Sequence, residues 1–194
     1  SGGRSRIFLA GIMIGSLFSA LISLLKYVAD PESQLPAITY WLMGSFDSAS
    51  YGTLALGALP IVLGSGILLA LRWRLNLLPL SDEEARTSGV RIGALRAVCI
   101  LCATAITAAC VSMSGQVGWV GLLAPHVCRM KFGNNHLSLL PACISLGAVF
   151  MMLVDTAARS LSAGVIPLSV LTAIFGAPVV ILLLVRKQRR EAAA

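Results

Sequence analysis

GQVGWVGLLAPHVCRMKFGNNHLSLLP, from Gly115 to Pro141, is the stretch where an apolar segment stops halfway and turns polar. Its apolar run, Gln116 to Ala124, would cover only about 15 Å as a helix rising about 1.5 Å per residue, half of a hydrocarbon core about 30 Å thick. It cannot cross a membrane alone. Pro125 is expected to interrupt it, and His126, Arg129, Lys131, Asn134, Asn135 and His136 follow before Pro141 opens the next apolar segment. A polar, basic loop set between two long apolar segments reads as a docking surface. Gly115, Gly118 and Gly121 recur about once per turn, and the expectation is that they let this half-length segment lie tightly among other helices. Such burial is required, because irregular backbone at membrane depth survives only inside protein or beside a watery cavity.

The composition around this stretch sets the class. Of the 194 residues 57% are hydrophobic and 12% charged, and mean hydropathy is +0.88, against roughly 45 to 50% apolar and about 25% charged in soluble domains. The chain is therefore read as an all-α, polytopic membrane helix bundle, one domain over residues 1–194, and a water-soluble globular enzyme is excluded. A formal charge of +7 could attract nucleic acid, but the basic residues do not cluster on one polar face and no nucleic-acid motif accompanies them, so none is expected as a partner. Cys99 and Cys102 spell C-x-x-C inside an apolar run without a basic neighbour, and they read as small buried hydrophobes rather than as a redox or metal site. No bound metal is expected. The chain opens Ser1-Gly2-Gly3-Arg4, without an initiating methionine or a signal-peptide pattern. It reads as the continuation of something longer, with further membrane segments upstream.

Taken in order, Ile7 to Val28 is the first spanning segment, with Lys26 placed to snorkel near its end. Gly11, Gly15 and Ser19 repeat at four-residue spacing, which admits either a packed helix or a passageway close to the backbone. Asp30 to Ser50 holds a short interfacial helix around LPAITYWLMG, where Tyr40 and Trp41 serve either as headgroup-level aromatics or as a gate over a path. Thr53 to Leu71 spans and is stopped by Arg72 and Arg74. Ser81-Asp82-Glu83-Glu84 predicts a capped cytoplasmic helix of one or two turns. Ile92 to Met113 spans, the interrupted segment returns, and Pro141 to Ala157 crosses again. Asp155 and Arg159, four apart, are expected to form a structural ion pair, with a proton relay as the sharper reading. Val165 to Val185 is the last span, with a kink expected at Gly176-Ala177-Pro178. This gives about five to six membrane segments, one of them short and interrupted. On this topology every lysine and arginine except Lys26 and Arg159 faces one side, which the positive-inside rule makes cytoplasmic. The loop from Pro125 to Leu140 is then cytoplasmic too.

With its residues laid out this way, the chain resembles the FecCD-type permease family, the membrane subunits of binding-protein-dependent ABC importers for iron siderophores, haem and cobalamin. The resemblance is carried by LAGI at Leu9 to Ile12, YWLMGSF at Tyr40 to Phe46, GWVGLLAPHVCR at Gly118 to Arg129, NHLSLLP at Asn135 to Pro141, DTAAR at Asp155 to Arg159 and IPLSVLTAIFGAP at Ile166 to Pro178. One position departs: where the family usually has aspartate before the histidine, this chain has Asn135. The resemblance implies the C-terminal part of a permease of about ten helices, in the bacterial inner membrane and paired with a second permease subunit. Its other partners would be a cytoplasmic ATPase dimer, a substrate-binding protein and the surrounding lipid. It also implies that Pro125 to Leu140 forms paired short helices that couple to the ATPase. The coupling residues would be Pro125, His126, Val127, Arg129, Met130, Gly133 and His136, and the path or outer gate would use Gly11, Gly15, Ser19, Tyr40 and Trp41. ATP and Mg would be bound by the partner, since this chain has no phosphate-binding G-x-x-x-x-G-K-[ST] loop and is expected to catalyse nothing itself. Two other readings stay open: an ion-coupled secondary transporter or channel using Asp155, and a permease fragment that does not transport.

Overall fold

A computed structural model of the chain describes residues 2–47, 49–79, 89–161 and 166–192. The helix predicted at Ser81 to Glu84 lies outside the described residues. Those residues form eight helices: α1 (Gly2–Val28), α2 (Gln34–Leu42), α3 (Tyr51–Ala70), α4 (Arg72–Leu75), α5 (Ile92–Ser114), α6 (Val120–Phe132), α7 (His136–Ser160) and α8 (Leu168–Ala192). Four segments, Arg6–Val28, Tyr51–Ala70, Ile92–Ser114 and His136–Ser160, are long and apolar enough to cross a membrane, with mean hydropathies of 2.1 to 2.3, and Leu168–Leu182 is a shorter apolar helix. Large apolar side chains along these segments face outward: Phe8, Leu56 and Met152 are 70%, 80% and 69% exposed. The chain is a multi-pass membrane protein.

The contacts divide it into two units, Ser1–Leu42 and Met43–Ala194. In the first, α1 and α2 are joined by a turn at Asp30, whose carboxylate accepts from the Ser33 hydroxyl at 2.6 Å and from its backbone N–H at 2.9 Å. These two donors hold the Asp30 carboxyl below its ordinary value.

In the second unit, α3 starts at a reciprocal cap: the Ser50 hydroxyl accepts from the Thr53 N–H and the Thr53 hydroxyl from the Ser50 N–H. α3 packs on α5 where glycine removes the side chain. A Cβ on Gly64 would sit 2.8 Å from Ile106, and one on Gly57 would collide with Met113. α5 stops at Gly115, whose φ of 69° is open to glycine without penalty. Beyond it the chain has no regular structure until Trp119, a non-glycine residue at φ 67° that sets the start of α6. Trp119 packs against α8, where a Cβ on Gly176 would approach its own Cβ to 2.9 Å.

Three sequence expectations change here. The apolar run does not become helical at Gln116 but at Val120, and α6 runs through Pro125 to Phe132 rather than breaking. Pro125 is only the sixth helical residue, so its missing N–H costs a single bond just beyond the first turn, whose donors have no intrahelical acceptor in any case. The glycine stripe makes no close contact among the described residues, where a Cβ at Gly118 or Gly121 would meet nothing within 4 Å; the close approaches there fall at Gly44, Gly57, Gly64 and Gly176. The predicted pair of short helices is absent, because the second one is the first turn of α7, continuous through Pro141 to Ser160. α8 runs on as helix across Pro178, the place of the expected kink.

The core lies where α7 and α8 meet. Val154, Ala158, Leu168 and Leu171 are buried together, and Phe46, Val117, Phe150, Met151 and Ile166 pack against them. An irregular strip, Met43 to Asp47, stitches this end. Its Ser45 N–H donates to the Ser114 carbonyl at 2.9 Å, while its Gly44 and Met43 carbonyls accept from Leu168 and Ser169 at 2.9 and 3.1 Å. Backbone groups left over at the end of α5 and the start of α8 are thus satisfied by one segment.

Candidate functional site

The turn between α6 and α7 gathers most of the residues singled out for docking. α6 ends because Gly133 takes φ 71°, and its N–H closes on the Arg129 carbonyl at 2.9 Å. α7 begins because Asn135 is an N-cap: its side-chain oxygen accepts from the Leu137 N–H at 3.0 Å. Only Gly133, Asn134 and Asn135 separate the two helices, so the last turn of α6 and the first of α7 form one tight hairpin.

The hairpin has a buried and an exposed side. Leu123, Ala124, Cys128 and Leu139 are buried, Pro125, His126, Val127 and His136 are half-buried, and Arg129, Met130, Lys131 and Phe132 are exposed. Lys131 sits over the Phe132 ring with its ammonium 5.7 Å from the centroid. The exposed surface is therefore two cations beside two large apolar side chains, a combination suited to a protein partner with an apolar pocket and acidic neighbours. His126 faces inward, and its Nε2 is buried without a hydrogen-bond partner among the described residues.

Two residues that the sequence did not single out for docking brace this turn from outside its exposed surface. In the turn after α4, the Asn76 side-chain oxygen accepts from the His136 N–H at 2.8 Å and lies 2.8 Å from His136 Nδ1. Its Nδ2 donates to the Asn135 side-chain oxygen at 3.0 Å. Arg72 Nη1 donates to the Leu137 carbonyl at 3.4 Å. The departure at Asn135 is explained by the same bonds: both donors, Asn76 and the Leu137 N–H, use one oxygen, which asparagine and aspartate supply alike.

The remaining candidates lie elsewhere. Gly11, Gly15 and Ser19 run along α1, with open space around the two glycines, and Tyr40 and Trp41 stand on α2, 39% and 48% exposed. All five belong to the first unit. At the other end of α7, Arg159 Nε donates to both Asp155 oxygens at 3.1 and 3.0 Å, and its Nη1 lies 3.9 Å from Asp47. Both acids face a guanidinium, the arrangement of a structural ion pair. Among the described residues no group of three or more histidine, cysteine, aspartate or glutamate side chains could hold a metal.

Comparison with known proteins places these features in a family. The model of the FecCD transport family matches residues 2–186. The molybdate import system permease protein MolB of Haemophilus influenzae is 49% identical over 172 residues, covering 89% of this chain and 51% of that protein. The hemin transport system permease protein HmuU of Yersinia pestis is 37% identical over 192 residues, covering 98% of this chain and 57% of that protein. A solved inward-facing structure, assigned to the metal-chelate type of ABC transporters, superposes with a TM-score of 0.89 at 48% identity, covering 92% of this chain and 58% of that one. The chain spans about half the length of the curated relatives it matches. With a family match over nearly all its residues, the chain belongs to the FecCD transport family.

Proposed function

We propose that the chain is the C-terminal part of a permease subunit of an ATP-driven importer, in a bacterial inner membrane, and that its α6–α7 hairpin receives a separate ATPase. The observation that carries this reading is the exposed quartet Arg129, Met130, Lys131 and Phe132 at the tip of a tight two-helix hairpin, in a chain of the FecCD family. ATP hydrolysis belongs to the partner, and this chain contributes path and transmission. A second permease subunit and a substrate-binding protein complete the assembly. The cargo is a metal-containing solute: the relatives named for molybdate and hemin and the solved metal-chelate transporter support that class. Molybdate and a ferric chelate are the two to test first.

The test is Arg129→Glu with Met130→Asp in the full-length permease. Both side chains are exposed, so the fold is expected to survive. Co-purification of the ATPase and ATP-dependent uptake into proteoliposomes should both fall at least about tenfold, the scale of two lost interface anchors. Unchanged co-purification together with unchanged uptake would sink the assignment.

A further inference from the structure

The first turn of α7 has three backbone groups that its own helix cannot satisfy. His136 and Leu137 donate from the N-terminal turn, where no carbonyl lies four residues back. The Leu137 carbonyl would ordinarily accept from residue 141, but that residue is Pro141, which has no N–H. Asn135 caps the Leu137 N–H. The other two groups are taken by a segment about sixty residues away in sequence: Asn76 accepts from the His136 N–H, and Arg72 donates to the Leu137 carbonyl.

The polarity of this network is fixed. A backbone N–H only donates, so the atom 2.8 Å from the His136 nitrogen is the Asn76 oxygen, and the Asn76 amide nitrogen must face Asn135. The Leu137 N–H likewise demands the Asn135 oxygen, and the Asn76 oxygen beside His136 Nδ1 requires that this nitrogen carry a proton. No amide can be flipped without setting donor against donor. Arg72 and Asn76 are in turn continuous with α3, because the Leu71 N–H bonds to Ile67 and the Leu75 N–H to Leu71.

We propose that Asn76, with Arg72, is a positioning latch that passes movement of the α6–α7 hairpin into α3 and, through the α3–α5 glycine contacts, into the membrane-spanning pair. The inference rests on the importer reading and adds to it the route of transmission. The Arg72 and Asn135 bonds are exposed and the His136 bonds half-buried, so water competes for them and the latch is reversible.

The experiment uses the full-length permease assembled with its ATPase and binding protein in proteoliposomes, with molybdate and a ferric hydroxamate offered separately as probes. Three quantities are read: ATPase co-purification, ATP hydrolysis, and solute carried per ATP hydrolysed. Asn76→Ala is expected to leave co-purification intact and to lower solute per ATP roughly tenfold, within the range of ordinary coupling between sites. Asn76→Asp should do the same despite its shape, because its second carboxylate oxygen meets the Asn135 oxygen. Arg72→Gln, the milder change, should lower the ratio about threefold, as loss of one exposed hydrogen bond would. Asn135→Ala should uncouple, and the conservative Asn135→Asp, which keeps the acceptor oxygen, should restore coupling. Should Asn76→Ala fail to fold, Arg72→Gln and the Asn135 pair decide alone. Full coupling in Asn76→Ala with the ATPase bound overturns the latch and leaves the importer reading standing. Loss of ATPase binding in Asn76→Ala also overturns it, since the network would then be building the docking surface. An unmodified complex that retains no ATPase overturns the importer reading and the latch with it.

Discussion

Near Ser160, α7 meets its neighbours through a buried apolar cluster, while the strip from Met43 to Asp47 bonds backbone to backbone with α5 and α8. Near His136, about 36 Å away along the same helix, it meets Arg72 and Asn76 through side-chain hydrogen bonds open to water. Backbone fastening is indifferent to most side chains and releases only when the segment itself comes away. Side-chain fastening depends on single residues and lets go one bond at a time. The difference teaches which end can hold a fixed geometry and which can transmit a change.

Gly44→Ala should break the comparison at its firm end with the largest effect. The new Cβ would lie 2.5 Å from the Gln116 carbonyl oxygen and 3.1 Å from that of Ser114, at φ +75°. Left-handed backbone alone costs about 1 to 2 kcal/mol with a side chain, and the clash adds to it, for a total of roughly 3 kcal/mol. Unfolding followed in mixed detergent micelles would register this, and a variant as stable as the parent would mean the strip is not what holds that end. At the opposite end, Asn135→Ala should cost about 1 kcal/mol for its lost cap, and Asn135→Asp should stay within about 0.5 kcal/mol of the parent. The same unfolding assay sharpens the contrast, because a soft end must lose less than the firm one. A small effect is also expected from Asp155→Asn. Arg159 is 47% exposed and keeps Asp47 at 3.9 Å, so stability should move by less than about 1 kcal/mol. ATP-dependent uptake should persist, and its abolition would instead support ion coupling through Asp155.

The helices themselves were legible because long apolar runs at membrane length admit few other structures. Gly115 and Gly133 end their helices at positive φ, which glycine adopts without penalty, yet the sequence pattern put Gly115 only in a packing stripe. Trp119 was not legible, since nothing in its side chain announces a left-handed residue, and this is why α6 starts four residues later than its apolar run. Pro125 misled because proline in a helical pattern usually breaks it, whereas near a helix start its missing donor costs little. Arg72 and Asn76 were missed as a site for a different reason: Arg72 read as the stop of a span, nothing marked Asn76, and their partners lie 59 to 65 residues away. Half of that contact was nonetheless written in the chain. Pro141 strips the Leu137 carbonyl of its donor, which is a request for a donor from elsewhere.

Pro141 also makes the start of α7 a ruler. Asn135 marks where its first donors must be capped, and Pro141 marks which carbonyl is left bare. One residue inserted or deleted between them would turn that carbonyl about 100° around the helix axis relative to the cap. Arg72 and Asn76 could then no longer reach both. Substitutions in this turn can drift, but its length cannot, so an insertion or deletion here should be far less tolerated than one in the Asp30 turn between α1 and α2.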